Sequence, residues 1–194
     1  MKKFWIFGIL GVLGFFFLVF LVFALSMVRN YNSLITMSEE VDQAWAQVEN
    51  QYQRRLDLIP NLVNTVRGYA NQEQEIFTQI AEARSRIGSA QTPKDRMAAE
   101  DQMGGFLSRL LMISENYPQL KSNENFMNLQ AQLEGTENRI SVERMRFNET
   151  VKAYNLYIKQ FPRRMYASLL GFQPKDYYEA EAGAERAPTV DFSN

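Results

Sequence analysis

Four charged residues stand where the spacing of apolar side chains calls for core positions: Glu73 and Arg84 in one helical stretch, Glu137 and Arg144 in another. Carboxylates drawn into a helical interior can do two kinds of work. If Glu73 and Glu137 converged on a solvated pocket, their oxygens could hold a hard cation of the magnesium or calcium type and support metal-dependent hydrolysis or ligand sensing. If they met arginines instead, they would form an interhelical ion network that sets register, because a buried charge left unpaired costs several kcal/mol. The network is the favoured reading, since setting register is the best-attested role of polar core residues. The chain has no His and no Cys. It therefore lacks the side chains behind most transition-metal sites, thiol chemistry and proton transfer near neutral pH, which makes catalysis less expected without excluding carboxylate, Lys, Tyr or Ser chemistry.

Two further polar groupings stand out. Arg54-Arg55-Leu56-Asp57 beside Pro60-Asn61 reads as a dense corner at a helix turn, serving either as caps and local ion pairs or, at the end of a rigid body, as a partner-docking corner built from Arg54, Arg55, Asp57 and Asn61. Arg163 and Arg164 sit among Phe161, Tyr166, Leu169, Leu170 and Phe172. Such a mixture suits a membrane interface, with the Tyr166 and Phe172 rings at headgroup depth and the guanidinium groups toward anionic lipid. Simple packing of this segment on its own protein is the equal alternative.

What must position these groups begins with a membrane anchor. From Phe4 to Val28 the chain runs for twenty-five residues without a charge, flanked by Lys2 and Lys3 before and Arg29 after. As a helix it reaches roughly 37 Å, enough to cross a hydrocarbon core of about 30 Å. Small residues at Ala24-Leu25-Ser26 resemble a cleavage site, but the apolar run is far longer than a signal-peptide core, so an uncleaved anchor is expected. The remaining 165 or so residues amount to about one domain. Lys and Arg number 21 against 22 acidic residues, with two of the cations ahead of the anchor. A slightly acidic body with no nucleic-acid motif makes DNA or RNA an unexpected partner.

Past the anchor the pattern is helical throughout. Between Tyr31 and Gly88 the only Gly is Gly68 and the only Pro is Pro60, and apolar residues recur every three or four places at Leu34, Val41, Trp45, Val48, Tyr52, Ile59, Val63 and Val66, then Phe77, Ile80 and Ile87. Pro60 lacks an amide hydrogen and restricts Ile59, so a break is expected at Asp57-Leu58-Ile59-Pro60, with Asp57 as cap. Gly88 to Pro93 reads as a loop. A third helix carries Met103, Phe106, Leu110, Ile113 and Tyr117 and stops at Pro118; a fourth opens at Ser122 or Asn123, carries Phe126, Leu129, Leu133, Ile140, Phe147, Val151, Tyr154 and Ile158, and stops at Pro162. The expected fold is all-α: an anchor over residues 1–29, an antiparallel up-and-down four-helix bundle over 30–172, and a flexible acidic tail over 173–194.

These segments resemble the LemA family of bacterial membrane proteins. The likeness rests on Val41-Asp42-Gln43-Ala44-Trp45, on the unbroken stretch from Arg54 to Ala70, and on Ala83-Arg84. It continues through Glu115 to Lys121, Asn125-Phe126, Leu133 to Ile140, Val151 to Asn155, Phe161-Pro162 and Leu170-Gly171-Phe172, nearly the whole chain after the anchor. What the resemblance implies is an amino-terminal transmembrane helix and a four-helix bundle, with no cofactor and no catalytic residue to carry over; related members are associated with membrane remodelling in magnetosome formation. Family members often carry a His after the Gly-Tyr-Ala segment, whereas here Asn71-Gln72-Glu73 follows, which argues against a His-dependent site.

The functional expectation is a non-catalytic scaffold or adaptor in the bacterial inner membrane, crossing it once and binding a membrane-protein partner or the lipid surface. The carboxylate enzyme or sensor is the alternative. Lys2 and Lys3 favour a cytoplasmic amino terminus, yet Arg29 stands on the other flank, so the side of the bundle stays open. Gly8, Gly11 and Gly14 offer a weak basis for self-association of anchors, their spacing not being GxxxG. The terminal Thr189-Val190-Asp191-Phe192 reads as a short apolar motif that docks on its own bundle, or on a partner's sheet edge.

Overall fold

The computed structural model describes residues 2–178, with side chains at residue 11 and from residue 13 onward. The acidic tail and the Thr189–Phe192 motif lie outside the described residues. Among these residues every regular element is a helix: α1 (Lys2–Arg67), α2 (Gln74–Ser89), α3 (Pro93–Ser114), α4 (Pro118–Lys121), α5 (Glu124–Lys159) and α6 (Arg163–Leu169). The short α4 and α6 go beyond the helices expected from periodicity.

The expected break at Asp57–Pro60 does not occur. Pro60 lies inside the 66-residue α1, and the chain leaves the helix only at Gly68. The proline deprives the Leu56 carbonyl of its usual donor, a local cost. Leu56, Ile59, Leu62 and Val66 are all buried on either side of it, so one continuous apolar stripe carries the helix past the defect. Asp57 is correspondingly no cap: its Oδ1 accepts from Gln53 Nε2 one turn earlier, at 2.8 Å.

Caps elsewhere follow local chemistry. Thr92 Oγ1 accepts from the Asp95 amide at 3.1 Å and donates to Asp95 Oδ2 at 2.7 Å, with Pro93 as the first residue of α3. Asn123 Oδ1 accepts from the Phe126 amide at 3.1 Å and starts α5. At the end of α6, Gly171 takes φ +79° and the Phe172 amide donates back to the Ala167 carbonyl at 3.0 Å, a Schellman closure that glycine accommodates without strain.

The chain divides into two compact units, each made of separate stretches. Among the described residues, one comprises 45–148 and 176–178. Its core gathers Leu56, Ile59, Leu62 and Val66 of α1, Ile76, Phe77, Ile80, Ala83 and Ile87 of α2, Ala99, Met103, Leu107 and Leu110 of α3, Leu120 of α4, and Phe126 and Leu133 of α5. Trp45 caps this packing edge-on to Phe147, ring centroids 5.5 Å apart. The other unit comprises residues 1–44 and 149–175. There Leu34 and Val41 of α1 are buried together with Val151, Tyr154 and Ile158 of α5 and Tyr166 and Ala167 of α6. By contrast, the large side chains from Leu13 to Phe23 are exposed without exception. α1 is thus one helix long and apolar enough to cross a membrane, with a mean hydropathy of 2.0 over its most apolar window.

Because α1 stays helical through Pro60 at the expense of a hydrogen bond, Pro60→Ala is expected to stabilise the fold by about 1–3 kcal/mol. Guanidinium-induced unfolding in detergent micelles checks this, and a lowered midpoint would show instead that the proline sets a curvature the core needs.

Candidate functional site

The polar centre of the 45–148 unit is Arg55. Its position between Tyr52 and Ile59 on α1 keeps phase with the apolar stripe, so the helix drives its side chain inward, where the residue is 1% exposed. Its Nη2 donates to Glu100 Oε2 at 2.5 Å and to the Glu100 carbonyl at 2.7 Å; its Nη1 donates to Glu137 Oε1 at 2.6 Å. Glu100 is fully buried on α3, and Arg96, one turn earlier, brings its Nε to 3.4 Å from the second Glu100 oxygen. That contact is an ion pair without hydrogen-bond alignment, and the Arg55 Nε also lacks an acceptor. Two arginines thus meet two carboxylates, and the cluster is neutral. Burial pushes the Glu100 carboxyl above the usual carboxylate range, with Arg55 and then Arg96 pulling it partly back. Burial disfavours the Arg55 cation, but Glu137 and Glu100 outweigh this and raise it further, so Arg55 stays charged.

A second cluster adjoins the first through Tyr52, whose ring has the Arg55 guanidinium 5.6 Å from its centroid on one side and that of Arg144 at 5.3 Å. Arg144 of α5 donates from Nε to the Tyr52 hydroxyl at 3.0 Å, from Nη2 to Asp101 Oδ1 at 2.7 Å, and from Nη1 to the Tyr178 hydroxyl at 2.5 Å. Its guanidinium also lies 4.2 Å over the Tyr178 ring. Asn148, one turn further along α5, holds the backbone of the same residue: its Nδ2 donates to the Tyr178 carbonyl at 2.9 Å, and its Oδ1 accepts the Tyr178 amide at 2.8 Å. Burial raises the Tyr52 hydroxyl to about 12 despite Arg144, so it remains protonated. Tyr178 is raised too, by burial first, with Arg144 opposing and Asp101 adding. The described residues here tie α1, α3, α5 and the segment at Tyr178 together through charge-assisted hydrogen bonds.

In the other unit, α6 lies against the apolar run of α1. The Tyr166 ring packs on Phe23 with centroids 5.7 Å apart, and Phe172 meets Tyr31 edge-on at 6.2 Å. The Arg163 guanidinium covers the Tyr157 ring at 4.2 Å and donates to Gln160 Oε1 at 2.6 Å, while Arg164 is exposed. Asn155 pairs with the backbone of Lys175 in both directions, at 2.8 and 2.9 Å, and Lys175 Nζ reaches Asp42 at 2.6 Å.

Several expected groupings come apart. Glu137 and Arg144 do enter ion clusters, but with Arg55 and Asp101 respectively and not with each other. Glu73 sits at the start of α2, half-buried, where the Tyr117 hydroxyl approaches at 3.5 Å. Arg84 is exposed, because Ala83 takes the inward position instead. Glu73 and Glu137 therefore have unrelated partners, and among the described residues no three potential metal ligands gather. The corner at Arg54-Arg55-Asp57-Asn61 is a mid-helix stretch: Arg55 faces the core, while Arg54, Asp57 and Asn61 form an exposed stripe. Tyr166 and Phe172 pack on α1, against Phe23 and Tyr31 respectively. Glu100, Asp101, Arg96 and Tyr178 escaped sequence reasoning. A signal existed for the first: Met97, Glu100, Met103, Leu107 and Leu110 form one stripe in which a glutamate occupies an apolar slot.

A model of the LemA family matches residues 44–192. Magnetosome protein MamQ 2 of Paramagnetospirillum magneticum is 25% identical over 186 residues, covering 82% of this chain and 68% of that protein. Magnetosome protein MamQ of Magnetospirillum gryphiswaldense is 26% identical over 185 residues, with 81% and 68% covered. Protein LemA of Metamycoplasma hominis is 22% identical over 136 residues, 70% of this chain and 59% of its own length. The family match begins beyond the apolar run, so it rests on the helical body, where both ion clusters lie.

Arg55→Met would strand the fully buried Glu100, and a loss of about 3–5 kcal/mol is expected, recovered largely by adding Glu100→Leu. Glu137→Gln, at a half-exposed rim, should cost less than about 1 kcal/mol. Denaturant titrations of the unaltered protein, Arg55→Met, Glu100→Leu and the double variant distinguish a coupled pair from additive defects. Glu100 also sets a pH dependence. Its folded-state pKa exceeds its unfolded value, so the folded state binds the proton more tightly and stability falls as pH rises from the ordinary carboxylate range through the raised pKa. Glu100→Gln should flatten that part of the profile.

Proposed function

We propose that this chain, which belongs to the LemA family, is a single-pass scaffold or adaptor of the bacterial inner membrane that catalyses no reaction. Its helical body forms an up-and-down four-helix bundle presented to a membrane-protein partner or to the lipid surface. The observation that carries this reading is the wholly exposed apolar face from Leu13 to Phe23, continuous in one helix with residues that build a packed, ion-clamped core. Such a face is stable only in lipid or under another protein.

The polar residues support a structural role for the interior. Arg55, Glu100, Glu137, Asp101 and Arg144 are engaged with one another or with Tyr52 and Tyr178, so no acid or base in the two clusters stands beside an unengaged nucleophile. A binding role is assigned to the surface: Arg54, Asp57 and Asn61 recur at helical spacing on the exposed side of α1 and offer a polar stripe to a partner. Relatives named as magnetosome proteins support a task in organising a membrane. Around Gly11 and Gly14 a Cβ would meet nothing within 4 Å, which leaves the anchor surface open for close approach by a second copy.

A photocrosslinking residue placed at 54, 57 or 61 in intact cells is expected to give a discrete protein adduct that the same residue at the buried position 62 does not. Lipid adducts alone, or none at any of the three, would overturn the protein-partner reading. Single engineered thiols exploit the absence of native cysteine. Lys2→Cys and Ser193→Cys should react with an impermeant reagent from opposite sides of the membrane; labelling from the same side defeats a single pass.

A further inference from the structure

Past Arg163, the other six residues of α6 sort into three faces at about 100° per residue. Tyr166 and Ala167 are buried, Arg164 and Ser168 form a polar edge, and Met165 and Leu169, one turn apart, present a third face that is 63% and 74% exposed. Phe161, just before the helix, is 83% exposed. Three large apolar side chains left uncovered next to a well-buried face are unusual in so short an element, and what lies beside them indicates their surroundings.

Tyr166 packs on Phe23, which stands five residues inside the end of the uncharged run at Val28. At about 1.5 Å per residue, that contact lies some 8 Å within the end of the apolar segment. Interfacial helices bury their apolar faces to roughly 5–10 Å below the headgroup boundary, the same depth. α6 cannot slide away from this level, because its carboxyl end is closed by Gly171 and the Phe172 ring is set against Tyr31. Arg164 on the polar edge and the Arg163 guanidinium stacked on Tyr157 stand close enough to extend toward phosphate.

We propose that Phe161, Met165 and Leu169 insert into the acyl-headgroup boundary of the same leaflet that α1 enters, making α6 a second, in-plane membrane contact whose ligand is the phospholipid bilayer itself. The proposal rests on the reading of α1 as a membrane anchor. It assigns the lipid contact to Met165 and Leu169 and gives Tyr166 the task of setting depth through Phe23.

The test uses the full chain reconstituted in vesicles containing anionic phospholipid, with an environment-sensitive fluorophore on single thiols at Met165→Cys, Leu169→Cys, Ser168→Cys, Leu18→Cys and Ser85→Cys. The expected result is blue-shifted emission quenched by brominated acyl chains at 18, 165 and 169, against iodide quenching at 85 and an intermediate response at 168. Lipid quenching at 18 with iodide quenching at 165 and 169 overturns the proposal and leaves the anchor standing. Iodide quenching at 18 as well overturns both. Circular dichroism of each labelled protein verifies that the helices are kept, and these exposed positions have no packing to lose.

Discussion

A guanidinium that is 1% exposed has to be matched where it lies, and the matching of Arg55 shapes much of the helical body. Its donors fix α1 against two carboxylates from different helices, Glu100 on α3 and Glu137 on α5. An apolar contact tolerates sliding by a fraction of a turn; these hydrogen bonds at 2.5 and 2.6 Å do not. Replacing such a cluster by well-fitted hydrophobic residues often leaves stability unharmed, whereas removing one partner alone leaves a buried charge unmatched. Tyr52 extends the constraint. With a cation beside its ring on one side and Arg144 bonded to its hydroxyl, it relays the alignment to Asp101 and to Tyr178. Apolar stripes fill most of the core, and the ion clusters join α1, α3 and α5 through it.

The unit that holds the apolar run of α1 is governed by the opposite constraint, apolar surface in excess of what its own residues cover. Leu34, Val41, Val151 and Tyr154 are buried, but from Leu13 to Val22 the large side chains that are described stand exposed. Water is an unstable environment for a surface of that size. Tyr166 marks where coverage begins, meeting Phe23 at the top of the exposed stretch. The bidentate pairing of Asn155 with the Lys175 backbone then holds the segment after α6 against α5, and Lys175 in turn reaches Asp42 of α1.

Helix content, the order of the long helices and the opening of the last long helix at Ser122 or Asn123 were legible because they depend on local chemistry and a period of three to four residues. The treatment of Pro60 was not. A proline reads as a stop in isolation, yet burial of Leu56, Ile59, Leu62 and Val66 across it outweighs one missing hydrogen bond. That single misjudgement hid the site. Once a turn is placed at Asp57, the phase of Tyr52 no longer carries through to Ile59, and Arg55 looks like a surface residue. With the helix unbroken, residues 52, 55, 59, 62 and 66 form one inward line and the arginine falls inside it. Glu73 and Arg84 fail for a related reason: α2 begins only after Glu73, and its inward line runs through Ala83, which a search for large apolar residues passes over.

The division of labour among the arginines follows from what surrounds each one. Arg55 and Arg144 are held inside, every guanidinium nitrogen except the buried Arg55 Nε being bonded to a carboxylate, a carbonyl or a tyrosine hydroxyl. Arg54 and Arg164 are exposed, and Arg163 is only loosely occupied by Gln160 and the Tyr157 ring. Of these five arginines, the outer three have charge facing solvent, and their electrostatics are subject to screening over about 8–10 Å at physiological salt. Any recognition by Arg54 or Arg164 should therefore weaken with salt, while the Arg55–Glu100 pair, shielded from water, is screened far less.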